Sequence, residues 1–315
     1  MIAHYEESDA GLRQLRVTTF HSRAHPSLED VLAAYLKDNP RLPLRAACFG
    51  VAGAVLDGKC HTTNLPWTLD EQVLARAIGV GRVKLLNDLE AAAYGMLQFS
   101  TDELCVLNPG SRPRRKGHAA VIAAGTGLGE ALLCWDGQRH VAVPSEGGHV
   151  DFAPRTDQEI DLLRYLRARV GGRVSVERVL SGPGFHDIYC FLRDSGHAAE
   201  SPQVAALLRT QDPNPTITRL GLAGEDPLCV ATLQLFSALY GSEAGNLALK
   251  CLAVGGVFVG GGIAPKVLPV LQDGSFLRGF TDKGRFTDLM KGIEVSVALN
   301  PAAALIGAAY AALHL

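Results

Sequence analysis

The sequence predicts an α/β protein in two halves, each of which starts with hairpin strands and continues with alternating helices and strands. Short apolar runs such as 119–124 have the length of buried strands. Longer runs at 28–37 and 227–252 predict helices, and 315 residues are enough for two domains with a substantial core. The halves differ at their start: the second has strand, glycine loop, strand and strand, whereas the first has only two hairpin strands.

Several local signals define elements within these halves. A β-hairpin is predicted to turn at Asp9-Ala10-Gly11. Thr68 and Glu71 have the spacing of a capping box and predict the start of a helix. In the second half, residues 176–192 predict one helix, whereas 195–225, rich in Pro, Asp and Gly, predicts an irregular excursion.

Asn87 and Asp88 stand where a predicted strand, 83–86, runs into an Ala-rich helix. Ligands of open α/β sheets bind at the carboxyl ends of strands, and a carboxylate there can accept a proton from a substrate hydroxyl group. Both residue types also suit the N-cap of a helix, which is the structural alternative.

Two glycine-rich loops follow buried strands in the second half. The loop Gly125-Thr126-Gly127-Leu128-Gly129 is not a Walker loop, because it has no lysine. It is not a dinucleotide fingerprint either, because position 130 is Glu where that motif needs glycine. Its backbone N–H groups can still bind phosphate oxygens, and the alternative is a tight hairpin. Gly260-Gly261-Gly262 leaves bare backbone at a strand end, which suits a purine or ribose; the alternative is a close strand–helix crossing.

The stretch Glu146-Gly147-Gly148-His149 is the most informative one. Two glycines let the backbone approach a ligand between a carboxylate and an imidazole, and both side chains can bind sugar hydroxyl groups. The alternative is a surface loop in which His149 pairs with Asp151. Two such residues without a nearby cysteine disfavour a zinc site, so we expect no protein-bound metal centre.

Two charged features have simple alternatives. Glu177 lies in an otherwise apolar predicted helix, where it either serves a site or pairs with Arg173 or Arg178. The basic run Arg112-Pro113-Arg114-Arg115-Lys116 is interpreted as solvated, because no aromatic residues interleave with it.

Composition excludes several classes of protein. A net charge of −2 gives no electrostatic reason to bind nucleic acid or an anionic membrane. Seven scattered cysteines form no zinc or disulfide pattern and indicate a reducing compartment. The polar N-terminus has no signal-peptide run and no apolar stretch is long enough to cross a membrane, so we expect a cytoplasmic protein.

Taken together and in order, these motifs resemble those of bacterial glucokinases in the hexokinase/actin-like ATPase superfamily. The most specific are Glu-Gly-Gly-His-Val-Asp-Phe at 146–152 and Glu-Arg-Val-Leu-Ser-Gly-Pro-Gly at 177–184. The resemblance implies two ribonuclease H-like domains with a cleft between them. The smaller would comprise residues 1–98 plus 299–315, and the larger residues 99–298.

The resemblance also implies an ATP- and Mg²⁺-dependent glucokinase that phosphorylates the 6-hydroxyl group of glucose, with a homodimer as the family expectation. Asp88 would be the catalytic base. The implied sugar-binding residues are Asn64, Asn87, Asp88, Glu146, His149 and Glu177. The implied nucleotide-binding residues are Gly125, Thr126, Gly127, Gly261 and Gly262.

One departure from the family concerns the start of the chain. The family opens with a strand and an Asp-x-Gly-Gly-Thr loop, which this sequence lacks, so we expect a gap in the first sheet. A truncated start or a defective homologue would both explain this departure. Two alternatives follow: a non-catalytic sugar-binding homologue or sensor, and a ROK-type kinase for another hexose, although ROK proteins commonly carry a cysteine cluster that is missing here.

Overall fold

The computed structural model describes residues 1–8, 11–39, 43–111 and 116–315. Two residues of the predicted hairpin turn, Asp9 and Ala10, and most of the basic run at 112–116 lie outside the described residues. The chain divides into two compact units: Met1–Ser100 with Asn300–Leu315, and Thr101–Leu299.

Strands and helices alternate along the described chain. The strands are β1 Ile2–Ser8, β2 Gly11–Thr18, β3 Ala47–Val51, β4 Val55–Leu56, β5 Lys59–His61, β6 Thr68–Asp70, β7 Val83–Asn87, β8 Leu104–Asn108, β9 Ala119–Ala124, β10 Leu128–Trp135, β11 His140–Ser145, β12 Gly256–Gly260 and β13 Val295–Ala298. The α-helices are α1 Leu28–Lys37, α2 Glu71–Ile78, α3 Asp88–Met96, α4 Asp157–Val170, α5 Gly182–Asp194, α6 Pro202–Leu208, α7 Pro213–Leu222, α8 Pro227–Cys251, α9 Leu268–Leu271, α10 Ser275–Thr281, α11 Thr287–Lys291 and α12 Ala303–Leu313.

The second unit is built on a sheet in the order β11-β10-β9-β12-β13-β8. β9 joins its two parts, because it pairs antiparallel with β10 and parallel with β12. β12 and β13 are buried along their whole length, as expected for strands covered on both faces. Helix α8, capped by Asp226, is apolar around most of its circumference and lies in the same core.

The first unit contains the same kinds of strand pair without a joining strand. β1 and β2 form an antiparallel hairpin, β3 and β7 a parallel pair, and β4-β5-β6 a small separate sheet. Among the described residues no strand pairs with both β1 and β3. A cavity of about 810 Å³ lies there, lined by residues of β1, β3, α1 and α12. The expected gap in the first sheet is therefore confirmed.

Two predicted helix starts were wrong. Thr68 lies in β6, and the N-cap of α2 is Asp70, whose carboxylate accepts from Gln72 N–H at 2.8 Å. Residues 176–192 are not one helix: a 3₁₀ turn at Val176–Arg178 is followed by α5. Ser181 caps α5, so the Ser-Gly-Pro-Gly stretch begins a helix instead of ending one.

Two segments are more regular than the sequence predicts. The strand β8 was not predicted, although it pairs antiparallel with β13 at the edge of the large sheet. The segment 195–225 contains two helices, α6 and α7, each with proline in its first turn.

Candidate functional site

Asn87 is the N-cap of α3, at the carboxyl end of β7. Its Oδ1 accepts from Leu89 N–H at 3.0 Å, and Glu90 Oε2 accepts from Asn87 N–H at 3.3 Å, which completes a capping box. Its Nδ2 donates to Gly53 O at 3.1 Å. The capping alternative is thus right for Asn87, and one amide N–H remains for a ligand.

Asp88 is the first residue of α3 and is exposed. Surrounding protein removes part of the hydration of its carboxylate, which raises its pKa, while hydrogen bonds from backbone N–H groups oppose the rise. One of them runs from Leu89 N–H to Asp88 Oδ1 at 2.9 Å. An accessible carboxylate of raised pKa at a strand end has the properties of a general base.

Asn64 is exposed in the loop between β5 and β6. This loop is fastened near Asn87, because Thr63 N–H donates to Ala52 O at 3.0 Å, next to the Gly53 carbonyl that Asn87 holds. Within the first unit, Asn64, Asn87 and Asp88 therefore belong to one region at the ends of β3 and β7.

The predicted phosphate loop of the second unit is a short turn between β9 and β10. Leu128 and Gly129 already belong to β10, so only Gly125, Thr126 and Gly127 form the turn. Thr126 is exposed. Gly125 O accepts from Gly182 N–H at 2.8 Å, which fastens the turn to the start of α5.

Glu177 lies directly against this turn. Its Oε2 accepts from Leu128 N–H at 3.0 Å, and a Cβ on Gly127 would lie 2.4 Å from the same oxygen. Its Oε1 is 3.8 Å from His149 Nδ1. Glycine at 127 leaves room for the carboxylate, and a side chain there would have to displace it.

The alternatives considered for His149 and Glu177 are not what the structure shows. Asp151 pairs with Arg173 at 2.8 Å instead of with His149, and Arg173 also donates to His149 O at 2.7 Å. His149 and Glu177 therefore face each other. Sequence reasoning missed this role of Arg173, which fastens the residues around His149.

Glu146 precedes the 3₁₀ turn Gly147–His149 and is exposed. Among the residues that the structure describes, no hydrogen bond or ion pair is formed by its carboxylate. Glu146, His149 and Glu177 thus present two carboxylates and an imidazole around one end of β10, a set that can both accept hydrogen bonds from and donate them to hydroxyl groups.

The glycines after β12 approach the end of β9. Gly261 has φ +82°, and a Cβ there would lie 2.2 Å from Ala124 O, so this contact selects glycine. Gly262 is exposed and open. Beneath them Tyr240, which the sequence analysis did not single out, accepts from Ala124 N–H at 3.0 Å and donates to Gly260 O at 3.1 Å.

Within 1–8, 11–39, 43–111 and 116–315, no group of three or more His, Cys, Asp or Glu residues could hold a metal ion. A magnesium ion that keeps water and phosphate ligands needs only one or two protein oxygens. Within the second unit, the exposed hydroxyl oxygen of Thr126 therefore fits an ion brought by a nucleotide better than a protein cage would. A separate finding is that no described helix is long and apolar enough to span a bilayer.

The chain is similar to known proteins of one family. A family described as Glucokinase matches residues 1–315. The glucokinase of Nostoc punctiforme is 42% identical over 98% of this chain and 94% of its own length. A crystal structure of glucokinase from an Antarctic psychrotroph is 31% identical with a TM-score of 0.84, covering 96% of this chain and 91% of that one.

A ROK family glucokinase from Streptomyces griseus, solved in complex with glucose and AMPPNP, has a TM-score of 0.61 at 21% identity, covering 92% of this chain and 90% of that one. That likeness shows the fold alone. The predicted α/β fold class and the family resemblance are confirmed. The chain belongs to the glucokinase family of ATP-dependent phosphotransferases.

Proposed function

We propose that this chain transfers the γ-phosphoryl group of ATP to the 6-hydroxyl group of glucose. The observation that carries the proposal is the contact between Glu177 and the Gly125–Gly127 turn. A carboxylate suited to a sugar hydroxyl group touches a turn suited to phosphate, so both substrates of a sugar kinase would be bound side by side.

Glu146, His149 and Glu177 bind sugar hydroxyl groups in this proposal, and Asn64 and Asn87 add amide contacts. Support comes from the position of His149, whose Nδ1 lies 3.8 Å from Glu177 Oε1, and from the capping bonds that hold Asn87 in one orientation. Fixed polar groups bind with little loss of conformational entropy.

Asp88 is the proposed base. Its carboxylate accepts the proton of the 6-hydroxyl group as that oxygen attacks the γ-phosphorus, and the bond from that phosphorus to the β,γ-bridging oxygen of ATP breaks. The raised pKa of Asp88 supports the role, because a stronger base holds the transferred proton better.

The Gly125–Gly127 turn with Thr126 binds the phosphates, and Gly261 and Gly262 lie against the nucleoside. The exposed Thr126 and the bare strand end at Gly261 and Gly262 support these assignments. Magnesium, when bound with the nucleotide, would neutralise the charge on the phosphates. Water and phosphate would supply most of its ligands, with Thr126 of the second unit as the candidate protein oxygen.

A coupled assay of ADP release with glucose and Mg·ATP tests the proposal on the full chain. We expect glucose-dependent turnover that Asp88→Asn removes while glucose binding survives. A chain that binds glucose without turnover would be a sugar-binding homologue, a possibility favoured by the gap between β1 and β3. Higher kcat/KM for another hexose would instead indicate a different sugar kinase.

Two further proposals concern the cellular context. The seven cysteines are all free, which supports the reducing cytoplasm proposed from the sequence. A homodimer is proposed from the family alone, and sedimentation at micromolar concentration tests it.

A further inference from the structure

Glu130 is a buried carboxyl group beneath the turn that connects Glu146 to His149. It lies in β10 with 1% of its surface exposed and stands opposite Ser145 in β11. A Cβ on Gly147 would lie 2.1 Å from Glu130 Oε2. The carboxyl group and the turn are therefore in direct contact, and a displacement of one moves the other.

The charged groups that face Glu130 come from helix α8. The carboxyl group of Glu243 is hydrogen-bonded to Glu130. The charge of Lys250 lowers the pKa of Glu130, and Lys250 also forms an ion pair with Glu243. Lys250 Nζ lies 3.4 Å from Glu243 Oε1, and Asn246 Nδ2 donates to Glu243 Oε2 at 2.9 Å. Tyr240 is a further titratable neighbour, and its hydroxyl group is bonded to the backbone of β9 and β12.

These contacts decide which carboxyl group keeps a proton. Glu243 receives an amide and an ammonium, and Lys283 adds charge nearby through Asn246 Oδ1 at 2.7 Å. Glu130 Oε1 is buried and has no hydrogen-bond partner among the described residues. Two carboxyl groups in hydrogen-bonding contact share one proton, and it remains on the group that forms no ion pair. Burial, followed by the charge of Glu243, raises the pKa of Glu130 to about 7.

We propose that Glu130 is a positioning residue for sugar binding: protonated and anchored on Glu243, it holds Gly147 and thereby fixes Glu146 and His149. The inference rests on the proposed sugar-binding role of those two side chains. When Glu130 loses its proton, two negative charges face each other in a buried site. Their repulsion displaces Glu130 against Gly147, and sugar affinity falls as the pH rises through neutrality.

Calorimetric titration of the full chain with glucose at about pH 6 and pH 8 tests this role. The wild-type Kd should rise about tenfold between the two, as expected when binding requires the protonated form. Glu130→Gln keeps a hydrogen-bond donor that does not titrate, so its Kd should be the same at both. Glu159→Gln, which alters another buried carboxylate, paired with Arg155 at 2.7 Å, should keep the wild-type dependence.

A tenfold rise that persists in Glu130→Gln would assign the titration to another group and overturn the proposal. A flat wild-type profile would overturn it as well.

Amide hydrogen exchange of residues 145–150 without sugar provides a second, independent readout. After correction for the intrinsic pH dependence of exchange, the wild type should lose protection there at pH 8, whereas Glu130→Gln should retain it. If glucose does not bind at either pH, the proposed function fails and this exchange experiment still decides the role of Glu130. Equal protection in both proteins would overturn it.

Discussion

The two units contain the same pair of sheet components and join them differently. In the second unit, β9 connects the hairpin β10-β11 to the parallel pair β12-β13. In the first unit, no described strand connects the hairpin β1-β2 to the pair β3-β7, and a cavity of about 810 Å³ lies there. Asn87 and Asp88 are nevertheless held in place by a local cap and one bond to Gly53. A site residue therefore depends more on its own strand end than on a continuous sheet.

The largest expected effect separates the roles of the two units in the reaction. Asp88→Asn should lower kcat by about 10²- to 10⁴-fold, because the first unit supplies the base. Glu90→Gln, a change to another carboxylate of the same helix, should leave kcat within a few fold and lower stability through the capping box. Steady-state assays of both variants at saturating glucose measure the difference.

The raised pKa of Asp88 predicts the direction in which kcat changes with pH. The base must be ionised, so kcat should fall on acidification, and the fall should begin above the usual range of an aspartate near pH 3.9. If Asp88→Asn leaves turnover unaffected, the first unit does not supply the base.

Phe258 lies in the middle of β12, and Phe49 lies in the middle of β3. Substitutions at these two positions compare the packing of the two sheets. Phe258 is 1% exposed, whereas Phe49 is half-buried and borders the cavity. Phe258→Ala should lower the free energy of unfolding by about 3–5 kcal/mol, and Phe49→Ala by about 1–2 kcal/mol. Guanidinium denaturation followed by circular dichroism gives both values; equal losses would mean that the first sheet packs as tightly as the second.

The second unit should also lose stability as the pH rises. The pKa of Glu130 in the folded chain, about 7, lies above that of an unfolded glutamate, so the folded state binds more protons between about pH 4.3 and pH 7. Its contribution to the free energy of unfolding is then full below this window and decreases through it, by at most about 4 kcal/mol. Denaturation midpoints at pH 5 and pH 8 should differ less in Glu130→Gln; an unchanged difference would locate the titration elsewhere.

Sugar affinity should depend on the second unit through Glu177. Glu177→Gln removes a charged acceptor beside His149, and we expect glucose affinity to fall about tenfold with a smaller change in kcat. Asp151→Asn is the matched control, because the exposed Asp151 pairs with Arg173, and affinity should stay within twofold. Calorimetric titration distinguishes them, and equal losses would argue against a specific contact of Glu177 with the sugar.

The smallest effect should be equal in the two units. Ser27 caps α1 in the first unit and Ser181 caps α5 in the second, each accepting one backbone N–H. Replacing either by alanine should cost about 1 kcal/mol, because a cap is a local interaction. Thermal unfolding of both variants measures the costs, and a much larger loss for one would show that its cap also supports the surrounding packing.

Local elements were predictable from the sequence where one signal acts alone. The strand 119–124 and the junction at Asn87 are both found. The single helix predicted for 176–192 was wrong, because Ser181 caps a new helix within that range and Pro183 suits its first turn. The short strand 104–108 was missed because its order comes from pairing with β13.

The types of the site residues could be predicted from the sequence, but the contacts between them could not. Glu177, His149 and Gly127 were chosen separately, and only the folded chain brings them together. Glu130 left one signal that went unused: it is an acidic residue within the otherwise apolar strand β10. The Glu130–Glu243 contact joins residues far apart in the chain, so no local pattern could reveal it.

The edges of β1 and β3 that border the cavity have a practical consequence for handling the protein. Unpaired strand edges beside apolar side chains are templates for the backbone of another chain. Aggregation should therefore begin in the first unit, and light scattering at rising concentration should fall when Cys48→Lys places a charge on β3. If scattering falls instead when a lysine is placed on β8, the aggregating strand edge lies in the second unit.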